Sequence, residues 1–243
     1  MSVAAVMALT LLSSCDKESE NKTRITYYPT IELEGDETIL VNKGSAYVEP
    51  GYASFMNGED ITADVQVISN VDVNKSGIYT IDYITKENED GFGSSATRTI
   101  IVFDFNHQTE GLYAVNSAVS KRDYKGTVAQ FKDDFEVWLF DNGDGTYSIT
   151  DLFGGWYDQG AGYGSEYACK AVMTISGSSV SVAPGDTYVA GWKDSIQGVH
   201  DASYNAATGT LEIQVDYGLN KEDPQNPQIL MTFFITLVKQ PIE

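Results

Sequence analysis

Ser76-Gly77-Ile78-Tyr79-Thr80-Ile81-Asp82-Tyr83 decides the fold class of this chain. Successive side chains on an extended strand point to opposite faces, so Tyr79, Ile81 and Tyr83 share one side and Thr80 and Asp82 the other. That is a period of two, not the 3.6 of a helix. β-Branched and aromatic residues fill the run, as a half-buried pleated surface prefers. Lys75-Ser76-Gly77 supplies the turn that feeds it.

Working outward, the same pattern recurs along the chain and predicts an all-β protein. Strands are expected around Ile31–Leu33, Thr38–Val41, Ile61–Ile68, Ile78–Ile84 and Thr97–Phe103, with turns at Glu49-Pro50-Gly51 and Asn57-Gly58. About six or seven short strands in roughly 75 residues suit an immunoglobulin-like sandwich. The polar stretch Asn106-His107-Gln108-Thr109-Glu110 marks a boundary between domains at 29–105 and 110–243. In the second domain, Leu112–Ser120, Phe135–Phe140, Tyr147–Asp151, Tyr167–Ile175, Val180–Ala183, Thr210–Val215 and Ile229–Val238 read as strands. An antiparallel barrel and a two-sheet sandwich both close such a set. On the strand before Asp141, Glu136, Trp138 and Phe140 share one face, with Val137 and Leu139 on the other. Asp141-Asn142-Gly143-Asp144-Gly145 lacks the calcium-loop spacing and reads as a hairpin turn.

Charge narrows the class of partner. The net charge of −20 is spread evenly: residues 30–104 carry 4 basic and 14 acidic groups, and residues 105–243 carry 8 and 18. Nucleic acid needs a basic stripe, so it is excluded as a partner. Of the two cysteines, Cys15 follows the apolar stretch Val3 to Leu12 and the small residues Ser13-Ser14. This arrangement resembles the cleavage and acylation site of bacterial lipoproteins. It implies a signal peptide at 1–14, lipid on Cys15 and a tether at 15–28. The apolar stretch is far shorter than the roughly 20 residues a membrane-spanning helix requires. The acidic run Asp16-Lys17-Glu18-Ser19-Glu20 resembles the export signal of lipoproteins on the outer face of the outer membrane. Cys169 has no partner for a disulfide and is expected to be a small buried apolar residue.

Four spaced elements carry a family resemblance: Tyr47-Val48-Glu49-Pro50-Gly51-Tyr52, Gly58-Glu59-Asp60-Ile61-Thr62, Ser76–Tyr83, and Ala96-Thr97-Arg98-Thr99-Ile100-Ile101-Val102. Together they resemble the bacterial Ig-like repeat of surface lipoproteins and adhesins, which implies a spacer module over residues 29–104. In the second domain, Gly111-Leu112-Tyr113 resembles the opening strand of lipocalin-like barrels. Asp151-Leu152-Phe153-Gly154-Gly155-Trp156-Tyr157, with Gly160-Ala161-Gly162-Tyr163-Gly164, resembles a family of two-domain surface lipoproteins of uncharacterised activity.

The glycine-rich loop from Leu152 to Gly164 is the candidate site. Flat aromatic faces stack on sugar rings, neighbouring carboxylates hold hydroxyls, and glycines allow close backbone approach. Trp156, Tyr157, Asp158 and Tyr163 supply that mixture, and Trp192 could add a second platform. The same aromatics would also serve simply to plug a barrel end. Asp133, Asp134 and Glu136 read as a solvated turn beside Lys132, and His200-Asp201 has no nucleophile at a telling distance. No hydrolase elbow, phosphate loop, metal motif or cofactor motif is present. The expectation is a non-catalytic, lipid-anchored surface protein capturing polysaccharide or glycan, alongside an outer-membrane importer. The alternative is a structural or adhesion module that binds another protein.

Overall fold

The computed structural model describes residues 25–219 and 228–242. Cys15, the signal peptide expected at 1–14 and most of the expected tether lie outside the described residues.

The first domain contains β1 (Thr30–Leu33), β2 (Thr38–Asn42), β3 (Tyr52–Met56), β4 (Glu59–Asp60), β5 (Gln66–Ser69), β6 (Gly77–Ile84) and β7 (Ser95–Phe103). They form two sheets, β1-β3-β4 and β2-β7-β6-β5, in which only β2 and β7 run parallel. Ile81 and Tyr83 are buried with Val41, Ile100 and Val102, and Tyr79 packs against them, as the alternation requires. The run Ile61–Ile68 is not one strand. A 3-10 turn at Thr62–Asp64 interrupts it, because Asp60 Oδ1 accepts the Thr62 N–H and Thr62 Oγ1 accepts the Ser54 N–H. Short polar side chains here offer the backbone an alternative to the ladder.

Arg98 is the keystone of this sandwich. Its side chain is fully buried, and its guanidinium donates to the carbonyls of Asp36, Glu34 (2.8 Å) and Gly51 (2.9 Å) while pairing with Glu49 at 3.0 Å. Glu49 also accepts from the Tyr47 hydroxyl and the Gly51 N–H. Tyr83 faces both charges, and its hydroxyl is pushed up to about 12, first by burial and then by Glu49. Elements far apart in sequence thus meet at one charge pair.

The second domain contains β8 (Gly111–Val115), β9 (Lys121–Tyr124), β10 (Thr127–Gln130), β11 (Glu136–Asp141), β12 (Thr146–Ile149), β13 (Cys169–Ser176), β14 (Ser179–Val189), β15 (Gly198–Asn205), β16 (Thr210–Leu219) and β17 (Gln228–Lys239). Strands β8, β11, β12, β13, β14, β15, β16 and β17 pair in that order, and β17 returns to β8. This closes an eight-stranded antiparallel barrel, so the barrel holds and the sandwich does not. The run Leu112–Ser120 ends at Val115. After a turn the chain forms the hairpin β9–β10, which pairs with the first half of β17. Side chains including Val137, Leu139, Cys169, Leu211, Phe233 and Ile235 fill the core.

Trp138 and Phe140 point out of the barrel, opposite Val137 and Leu139, yet are not left to solvent. They stack at 5.9 Å and join Ile101, Phe103 and Phe105 in a cluster that fixes one domain to the other. Phe103 meets Trp138 edge-on at 5.3 Å. The connecting segment is tied down as well. Buried Glu110 accepts the N–H groups of Asp104 and Asp141, and Lys239 donates to the carbonyls of His107 and Gln108.

Candidate functional site

Asp151 organises the glycine-rich loop. Its buried carboxylate accepts the N–H groups of Phe153 (2.8 Å), Gly155 (2.8 Å) and Cys169 (2.7 Å). Burial pushes its pKa up to about 6 against the pull of those three bonds. Gly155 is left-handed, and a Cβ there would lie 2.5 Å from that of Phe135. Beyond it, Gly160 N–H bonds Gly155 O and Ala161 N–H bonds Trp156 O, the i to i+5 pattern of a π-helical turn over Trp156–Gly160. A π turn is wider than an α turn and sends successive side chains in divergent directions.

The five candidate residues therefore do not converge on one point. Tyr157, Tyr163 and Trp192 come together. Tyr157 is buried beside Phe153, meets Trp192 edge-on at 4.7 Å and donates to Met231 Sδ. Tyr163 is 56% exposed and stacks on Tyr157 at 6.0 Å, with Tyr167 bracing it and Trp192 edge-on. Trp156 turns elsewhere. It packs on Phe131 at 4.9 Å with the Arg122 guanidinium 4.5 Å over its ring, and it borders a recess of about 100 Å³ with Lys132 and Phe135. Asp158 takes a third direction, into a cleft between the domains.

That cleft has two adjoining lobes of about 420 and 460 Å³, which share Ile78, Thr150 and Lys170. One lobe brings Asp158 and Gln159 from the loop alongside Glu136, Trp138, Ser165 and Lys170. The other is lined by Tyr188, Val172 and Asp186. Burial raises the pKa of Asp158, and the Lys170 charge opposes the shift. Concave sites of roughly 300–1,000 Å³ at domain junctions, with apolar walls and a few convergent polar groups, suit small ligands.

Sequence reasoning missed Lys170, Arg122 and the cleft face of Trp138. Alternation on β11 placed Trp138 and Glu136 on one side, but only the packing of the domains makes that side concave. Four of the domain's eight basic residues fall within residues 121–132, a signal that was available. Asp133 and Asp134 lie in an exposed turn, where Asp134 accepts the Ser117 N–H. His200 pairs not with Asp201 but with buried Asp216, at 3.1 Å. Cys169 is fully buried. Among the described residues, no group of three or more His, Cys, Asp or Glu side chains is placed to hold a metal ion.

Comparison with known proteins places this geometry. Residues 31–102 match the family model of a bacterial surface protein Ig-like domain, and residues 102–239 match that of a C-terminal domain. No curated protein matches the chain. Among solved structures, the lipoprotein BT2262 from Bacteroides thetaiotaomicron is similar, at 40% sequence identity and a TM-score of 0.70. The match covers 88% of this chain and 100% of that one. An Ig-like domain followed by this C-terminal barrel, with 40% identity over the whole length of that relative, shows that the chain belongs to the same family as the lipoprotein BT2262.

Proposed function

We propose that the protein is a lipid-anchored, outward-facing outer-membrane protein that captures glycans without catalysis, serving an importer of sugars. The interdomain cleft carries this reading. Its walls combine the aromatic and apolar surface of Trp138, Ile78 and Tyr188 with the hydroxyl-binding groups of Glu136, Asp158, Gln159 and Lys170. The apolar cluster of Ile101, Phe103, Phe105, Trp138 and Phe140 packs the two walls together beside it, and a cleft held by such packing has less to order on binding. Exposed Tyr163 offers a further stacking surface on the same loop. Lipid on Cys15 would hold the assembly at the membrane through its acyl chains.

Titration calorimetry of the Cys15→Ser chain against a panel of neutral polysaccharides tests the reading. Saturable binding that weakens about tenfold or more in Asp158→Asn and Lys170→Ala supports it, since each removes a charge-assisted hydrogen bond. A flat response across the panel overturns it. One observation favours the second reading, a protein-binding module: β10 ends its sheet with Val128 exposed, an edge onto which a partner strand could add. Loss of a cross-linked partner in Ala129→Pro, with no glycan binding, would support that reading.

A further inference from the structure

The chain just ahead of β1 is tied to the tip of the β6–β7 hairpin. Tyr27 O accepts the Asn88 side-chain amide at 2.7 Å, and Thr26 Oγ1 donates to Asp90 at 3.2 Å. The Tyr28 ring lies 4.8 Å from that of Phe92. Asn88 folds the tip itself, since its Oδ1 accepts the N–H groups of Asp90 and Phe92. Ile25, Tyr27, Tyr28 and Phe92 are nevertheless exposed, so one spot presents an aliphatic and three aromatic side chains to its surroundings. The strand register fixes where that spot lies. Ile84 pairs with Ser95 beside the tip, whereas Gly77 pairs with Val102 at the other end, where Ile101 and Phe103 join the cluster with the barrel. The nine residues of β7 thus separate the aromatic tip from the joint by about 26 Å, at roughly 3.3 Å per residue.

We infer that this tip is a membrane-docking surface. Ile25 and Phe92 enter the boundary between headgroups and acyl chains, and Tyr27 and Tyr28 sit at headgroup level. The Ig-like domain then stands on the bilayer with the barrel and its cleft held away from it. The inference rests on the reading that Cys15 carries lipid. Ten chain steps separate Cys15 from Ile25, so the tip lies within about 36 Å of the acylated residue even at full extension. Covalent attachment replaces free encounter by a high local concentration, so a contact too weak to hold a soluble protein becomes populated. Tyrosine suits the position, because its ring is apolar while its hydroxyl stays hydrated. Charge selects the lipid. Exposed Glu87, Glu89 and Asp90 lie on the same tip, and Lys86 is paired with Asp64 at 2.8 Å. An acidic tip is repelled by an anionic lipid surface and accepts a zwitterionic one.

The test uses the lipidated chain, extracted from bacterial membranes and reconstituted into phosphatidylcholine vesicles. Bromine on the acyl chains of that lipid quenches tryptophan at short range. Phe92→Trp places a reporter on the tip, and the native Trp138, Trp156 and Trp192 all lie in the barrel domain. The emission added by Phe92→Trp should be lost in brominated vesicles and kept in unbrominated ones, while the unsubstituted protein keeps its emission in both. Tyr28→Ser removes an exposed ring and leaves the sheets untouched, so it should restore emission at an unchanged melting temperature. Admixed phosphatidylglycerol should restore it too. Equal emission from Phe92→Trp in both kinds of vesicle, or quenching of the native tryptophans instead, overturns the inference alone. A dimer of the soluble Cys15→Ser chain that Phe92→Ser dissociates would assign the tip to a second copy and overturn it likewise. A chain that carries no acyl group by mass spectrometry and does not float with vesicles overturns the lipid-anchor reading with it.

Discussion

Replacing Arg98 by methionine should strongly destabilise the Ig-like domain. The substitution keeps most of the apolar stem but strands the carbonyls of Glu34 and Asp36, while that of Gly51 keeps the Glu34 N–H at 3.0 Å. Each orphaned buried acceptor costs about 1 kcal/mol at the low end of the usual range. Glu49 loses its cation too. Because its side chain is 30% exposed, it can turn toward water, so the full penalty of about 3–5 kcal/mol for a fully buried pair is discounted to about 1 kcal/mol. The expected loss is therefore about 3 kcal/mol, against a stability of roughly 4–11 kcal/mol for a domain of about 75 residues. Urea unfolding followed by far-UV circular dichroism would read it. Tryptophan emission follows the barrel through Trp156 and Trp192, while Trp138, at the joint with Phe103, responds to both transitions, so a Trp138→Phe background separates them. With a slope of roughly 1 kcal/mol per molar, the Ig midpoint should fall by about 3 M. A shift below about 1 M would refute the keystone role.

The two domains should respond oppositely to pH. Glu49 is half-buried, which alone would raise its pKa, but the Tyr47 and Tyr83 hydroxyls, the Gly51 N–H and the Arg98 charge together hold it below the ordinary value. Its stabilising contribution is therefore present above the unfolded value of about 4 and is lost as pH falls through the lower folded one. Asp151 has the opposite sign, with a folded pKa of about 6 above its unfolded value, so its contribution is present below about pH 4 and is lost as pH rises through about 6. Between those values the barrel should lose roughly 3 kcal/mol, at 1.36 kcal/mol per unit, and a barrel melting temperature that is flat or rising over that window would contradict the assignment. Gly155→Ala should cost the barrel about 2–4 kcal/mol in urea, combining left-handed strain with the Phe135 clash. Trp138→Ala should loosen the joint and expose residues 104–110 to limited proteolysis, whereas an unchanged cleavage pattern would show that the Glu110 and Lys239 bonds suffice alone.

Much of the architecture was legible because it rests on local periodicity. β6 alternates, β7 and β11 are apolar on both faces because their outer sides meet at the joint, and the Asn-Gly and Asp-Gly pairs after Phe140 mark the β11–β12 hairpin correctly. β15 escaped notice because a bulge between His200 and Ser203, with Asp201 at a φ of 45°, breaks the alternation, and its outward side chains are polar. The candidate site was less legible for a related reason. Composition located the loop 152–164 but could not reveal a π turn, which has no sequence period of its own. Whether Trp156 and Asp158 share a surface depends on that turn, and they do not. The cleft depends on long-range packing, since Ile78 and Lys170 meet only once both domains are docked.

The twelve residues of β17 pair with β16 along their whole length, with β9 at one end and with β8 at the other. Three edges therefore wait on one segment, and the closing contact joins Val115 to Leu237 across most of the domain sequence. During synthesis the Ig-like sandwich can fold from residues already emerged. The barrel must stay an open, sticky sheet until its last strand arrives. Loop closure over such a separation is slow, and unpaired edges invite association with neighbouring chains. A nonsense mutation or proteolytic nick just ahead of Gln228 would thus leave an intact first domain attached to an aggregation-prone remnant. Chaperones, rather than the barrel's own stability, would govern the yield of folded protein.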